Sequence, residues 1–94
     1  MQFHVNEADQ QFEMNIGTGK ALIEYSIADG KVHLTHTEVP EEAQGKGIAA
    51  ELTKKSLEWI RAQKLQVMPL CSYAQHYLNN HPEFHDLLSD GYQI

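Results

Sequence analysis

A single cysteine, Cys71, stands in the 94-residue chain, so no disulfide forms within it and no thiolate set is present for a structural zinc. A reducing compartment fits that scarcity. Basic side chains are also few. Seven Lys and Arg stand against thirteen Asp and Glu, a formal charge of −6, whereas a surface built for nucleic acid shows the opposite balance. No apolar run approaches the roughly 18 residues of a membrane span, and Met1-Gln2-Phe3-His4-Val5-Asn6-Glu7 lacks the basic and apolar regions of a secretory leader. These absences lead to the expectation of a soluble, cytoplasmic protein without nucleic-acid or membrane partners, a monomer by default. At this length one domain, 1–94, is expected, and 41% hydrophobic residues supply its core.

What is present alternates. Phe3–Asn6 and Phe12–Ile16 read as short strands, the second ended by Gly17-Thr18-Gly19. Over Lys20–Ile27, Ala21, Ile23, Tyr25 and Ile27 share one face and Leu22, Glu24 and Ser26 the other. Ala28-Asp29-Gly30 gives a hairpin turn into Lys31–Val39, where strict alternation sets Val32, Leu34 and His36 opposite His33, Thr35 and Thr37. Pro40 has no N–H to donate and ends that ladder. The period then changes from two to 3.6. Ile48, Ala49, Leu52, Ser56, Trp59 and Ile60 form one stripe of a helix, with Glu51 spaced four residues before Lys55.

After Ala62-Gln63-Lys64, the apolar segment Leu65–Leu70 suggests a strand shielded on both faces. Ser72–Asn79 follows as a short helix, Pro82 opens another, and Ser89–Ile94 forms a polar tail. The fold class is α+β: an antiparallel meander continuing into one parallel β-α-β crossover, with the strand ending at Val39 parallel to Leu65–Leu70.

The chemically informative segment is Glu38-Val39-Pro40-Glu41-Glu42-Ala43-Gln44-Gly45-Lys46-Gly47-Ile48-Ala49. A strand stops, two glycines follow, and a helix begins, so several backbone N–H groups and the positive end of a helix dipole converge. Glycine at 45 and 47 admits a phosphate close to the backbone, and Lys46 adds a positive charge. The spacing is neither that of a nucleotide P-loop nor G-x-G-x-x-G.

Gln44-Gly45-Lys46-Gly47-Ile48-Ala49 fits the [QR]-x-x-G-x-[GA] signature of the GNAT acyltransferase superfamily. Together with His36-Thr37-Glu38-Val39-Pro40, Met68-Pro69-Leu70-Cys71-Ser72-Tyr73 and His81-Pro82-Glu83-Phe84, it makes the whole chain resemble the compact, single-domain GNAT-like proteins of the YjdJ type. The resemblance implies acetyl-CoA as cosubstrate, an unidentified amine as acceptor, and a site between two splayed parallel strands. Gln44, Gly45, Lys46, Gly47, Ile48 and Ala49 would then hold pyrophosphate, and the backbone of Val39 would align pantetheine. Two departures from larger relatives stand out. The chain is too short for their N-terminal helix pair and C-terminal strands, which shape the acceptor pocket. Their N-x-x-A block, with a tyrosine four residues later that protonates CoA, is here Cys71-Ser72-Tyr73-Ala74, with Tyr77 one position early.

Cys71, Glu38 and His36 are the catalytic candidates. At the start of a helix, whose dipole favours negative charge, Cys71 suits an acid or a transient acyl carrier, or else it is a small buried hydrophobe. Glu38 or His36 would take the proton from an attacking ammonium; the bland readings are a solvated strand-end charge and a hydrogen-bonded core histidine. Tyr73 lies beside pantetheine or belongs to the core. Although six histidines are present, His81-Pro82-Glu83-Phe84-His85 is not a zinc helix, and no metal is expected. The functional expectation is an acetyl-CoA-dependent N-acyltransferase. The alternatives are a non-catalytic acyl-CoA-binding module and an α+β domain without a ligand.

Overall fold

The structure, a computed structural model, describes residues 2–17 and 19–89. Thr18 and most of the expected polar tail lie outside the described residues. Five strands form one sheet in the order β1-β2-β3-β4-β5: β1 (Gln2–Asn6), β2 (Gln11–Asn15), β3 (Lys20–Ala28), β4 (Lys31–Glu38) and β5 (Gln66–Pro69). The first four run antiparallel, and β4 and β5 run parallel. The expected meander and crossover are therefore both present. The β3–β4 hairpin turns through Asp29 and Gly30, at φ 53° and 75°, the double left-handed step that matches the twist of a two-residue hairpin.

Helix α1 (Ile48–Ala62) joins β4 to β5 and lies across one face of the sheet. Phe12, Ile23, Leu34 and Val67 from the sheet are fully buried with Leu52, Leu57 and Ile60 from α1. Each such side chain contributes about 1.5–3 kcal/mol through its burial. Trp59 is half-buried and meets the Phe12 ring edge-on at 5.4 Å. The buried face of α1 also takes in Thr53 and Leu57, and α2 (Ser72–Asn79) packs on α1 as well as on β4 and β5. A 3-10 turn over Pro82–Leu87 completes this layer. Arg61 of α1 holds it, donating to the Glu83 carbonyl and to the Asp86 carboxylate with its guanidinium 5.2 Å from the Phe84 ring centre.

Two expectations are corrected. The alternation of β4 slips at Thr35, where Leu34 pairs with Tyr25 but His36 pairs with Glu24, leaving Thr35 as the extra residue of a β-bulge. The Thr35 hydroxyl donates to the Glu24 carbonyl. Beyond the bulge the inward residue is Thr37, opposite buried Ile23, and not His36. The second correction concerns β5. It is an edge strand of only four residues, with Val67 and Pro69 buried and Gln66 and Met68 half-buried, while Leu70 lies outside it and is exposed.

Candidate functional site

The bulge and the short β5 together create an opening. The β4–β5 rungs stop at Leu34 and Pro69. The Leu34 carbonyl then accepts from both Leu70 N–H (2.9 Å) and Cys71 N–H (3.0 Å), and the chain turns away into α2. Residues 35–38 of β4 continue without a rung to β5, an edge of about 13 Å at the usual rise per residue.

At the far end of that edge Pro40 stops the strand, and a 3-10 turn over Glu41–Ala43 reverses the chain. Ala43 N–H donates to Pro40 and Gln44 N–H to Glu41. The Gln44 side chain reaches back, with Nε2 donating to the Val39 carbonyl at 3.2 Å, so Gln44 ties the loop to the strand end. Gly45 and Gly47 take φ of 80° and 77°, which non-glycine residues rarely adopt. Gly47 occupies the position just before α1, and no side chain caps the helix. Its first backbone bond is Glu51 N–H to the Gly47 carbonyl. The N–H groups of Ile48, Ala49 and Ala50 therefore precede the first helical bond and lie at the positive end of the dipole.

These groups border a cavity of about 260 Å³. The loop residues Ala43, Gln44, Gly45 and Gly47 line it together with Ile48, Ala49 and Ala50 of α1, Val39 and Tyr73. A Cβ placed on Gly45 or Gly47 would meet nothing within 4 Å beyond its chain neighbours, so backbone conformation, and not internal crowding, favours glycine at both positions. Small side chains, dipole and orphan amides suit an anion. Lys46 is exposed and does not line the cavity. Burial pushes the Tyr73 phenol above its usual range, keeping the O–H available as a donor.

Cys71 is half-buried at the position just before α2, where its side chain caps nothing. Its Sγ lies 3.3 Å from Thr37 Oγ1. His36 and Glu38 share a face, as expected, but the bulge turns that face away from Val32 and Leu34. Both side chains are exposed, 52% and 66%, and contact each other at 3.6 Å. The core-histidine reading of His36 is thus overturned. The structure groups seven of the expected residues around the cavity: Val39, Gln44, Gly45, Gly47, Ile48, Ala49 and Tyr73. Cys71 stands beside the opening, and His36 and Glu38 lie on the outer face.

Sequence reasoning missed three residues: Ala43 and Ala50, which line the cavity, and Thr37. Ala50 follows from the rule that helix-starting amides are unpaired. Thr37 had no sequence signal, since the bulge that turns it inward leaves no mark on the alternation. Tyr77 is buried and stacks on His81 with ring centres 3.8 Å apart. Burial first, then the nearby Glu83 carboxylate, pushes its phenol up. His81 and His85 donate ring N–H groups to the Tyr77 and Leu78 carbonyls at the end of α2. Among the described residues no three His, Cys, Asp or Glu side chains come together as a metal site.

An uncapped helix start beside an unpaired parallel-strand edge marks the candidate site of this α+β domain. The model of the GCN5-related N-acetyl-transferase family matches residues 11–87, and the chain belongs to that family. Protein NATD1 of Xenopus tropicalis is 34% identical over 64 residues, 67% of this chain and 59% of that protein. Protein NATD1 of Gallus gallus is 39% identical over 61 residues, 65% of this chain and 54% of that protein. The chain thus spans little more than half the length of these relatives. The solution structure of a GCN5-like protein from Staphylococcus aureus superimposes with a TM-score of 0.73 at 25% identity, covering 94% of this chain and 87% of that one.

Proposed function

We propose that this chain is an acetyl-CoA-dependent N-acyltransferase that acetylates an amine. The observation that carries the reading is the adjacency of two unsatisfied features: the uncapped start of α1 and the unpaired edge of β4. The amides of Ile48, Ala49 and Ala50 would hold the diphosphate, and Gly45 and Gly47 allow its close approach. Residues 35–38 and Val39 would receive the extended tail along their edge, in the manner of an added strand. Bound acetyl-CoA supplies the activated acetyl thioester. The chain's own contribution is chiefly position, since holding reactants in line is worth several kcal/mol of barrier.

The Cys71 thiol and Thr37 hydroxyl are the polar side chains of the opening, with Cys71 as acid or transient acyl carrier. Glu38 or His36, on the outer face, would take the ammonium proton directly or through water. Incubation with acetyl-CoA and a panel of primary amines, followed by release of free CoA and intact mass, tests this reading. Amine-dependent CoA release is expected, with Cys71→Ser lowering it at least about tenfold. An acetyl adduct on the wild type that is absent from Cys71→Ser identifies Cys71 as carrier. One observation favours a non-catalytic acyl-CoA-binding module: neither His36 nor Glu38 lines the cavity. Acetyl-CoA binding without amine-dependent turnover would establish that alternative.

A further inference from the structure

We propose that Thr37 is a positioning residue for Cys71, an inference that rests on the acyltransferase reading for its purpose but not for its test. Regular alternation from Leu34 would place His36 inward and Thr37 in solvent. The bulge at Thr35 reverses this and sets Thr37 opposite Ile23, on the side of the sheet that carries α1. There its Oγ1 lies 3.3 Å from Cys71 Sγ, across the stretch where β4 and β5 no longer share backbone rungs. The Cys71 backbone is held separately, by its N–H to the Leu34 carbonyl and by Gln75 N–H to its own carbonyl. Main-chain bonds thus place the Cα, and one side-chain bond selects where the sulfur points.

Threonine suits this task because its branched Cβ has few χ1 wells and keeps the hydroxyl fixed. The hydroxyl either donates to sulfur or accepts the S–H proton, so it serves the thiol in either form. Valine keeps the shape and removes the bond; serine keeps the bond and removes the methyl. Thr37 acts through Cys71 and is not itself assigned to the reacting atoms.

Because Cys71 is the sole cysteine, alkylation of the folded chain by iodoacetamide at fixed pH reports on this sulfur alone. Thr37→Val is expected to slow alkylation about fivefold, the size of one ordinary hydrogen bond, and Thr37→Ser to stay within about twofold of wild type. Equal rates in wild type and Thr37→Val, equal slowing in both variants, or faster alkylation of Thr37→Val would overturn the proposal, the last by making Thr37 a shield and not a guide. An absent acetyl-CoA response in the wild type would remove the acyltransferase reading yet leave the alkylation comparison decisive for Thr37.

Discussion

Gly47 concentrates the demands of the site in one residue, because its φ of 77° disfavours any side chain and its missing Cβ faces open space. Gly47→Val should cost about 1–2 kcal/mol of stability from the left-handed backbone alone. It should weaken acetyl-CoA binding by more than tenfold, read by titration well below the variant's Tm. Gly30 is the internal control. It has φ 75°, equally open surroundings and a place in the distant β3–β4 hairpin. Gly30→Val should lose similar stability and bind acetyl-CoA as the wild type does. Equal affinity loss in both variants would mean that strain, and not obstruction of a ligand, explains the effect at 47.

The elements divide by how much of their geometry their residues announce. The Asp29-Gly30 turn, the amphipathic α1, Pro40 as strand stop and the glycine pair before α1 were all legible, because each depends on local rules of φ, period or missing donors. The bulge was not. Val32 to Thr37 alternates apolar or histidine residues with polar ones without a break, and threonine fits either face, so nothing local marks Thr35 as extra. Thr53 and Leu57 were also hidden, because the face that α1 buries is set by packing against elements distant in sequence. The bulge itself is testable by deleting Thr35. The pairs His36–Glu24 and Thr37–Ile23 would survive, so inward and outward residues keep their faces while the local twist falls. We expect a Tm equal to or above that of the wild type, with a much smaller rise on adding acetyl-CoA. An undiminished rise would show that the bulge does not hold the opening.

For the molecule as a whole, three tyrosines tie stability to alkaline pH. Tyr25, Tyr73 and Tyr77 all have phenols raised above the ordinary value for tyrosine, chiefly by burial. Below about pH 10 both folded and unfolded chains keep these protons, so their stabilising contribution is complete there. As pH rises further the unfolded chain loses protons first, and stability falls through the folded values. Thermal melts between pH 9 and 11 should show Tm dropping in that window, less steeply in Tyr77→Phe. A Tm independent of pH across it would contradict the burial of these phenols. Arg61 links the two halves of the helical layer, holding the 3-10 turn through Glu83, Asp86 and Phe84. Its half-exposed ion pair limits Arg61→Ala to a loss of about 1 kcal/mol in denaturant unfolding.

The most direct test is thermal unfolding of the wild-type chain during titration with acetyl-CoA, beside controls with acetate and with inorganic diphosphate. At a ligand concentration a hundredfold above Kd the folded state should gain about 2.7 kcal/mol, which at this chain size raises Tm by roughly ten degrees or more. Diphosphate alone should give a smaller rise and acetate none. A midpoint that stays put at millimolar acetyl-CoA would mean that the uncapped start of α1 and the open edge of β4 do not form a coenzyme site.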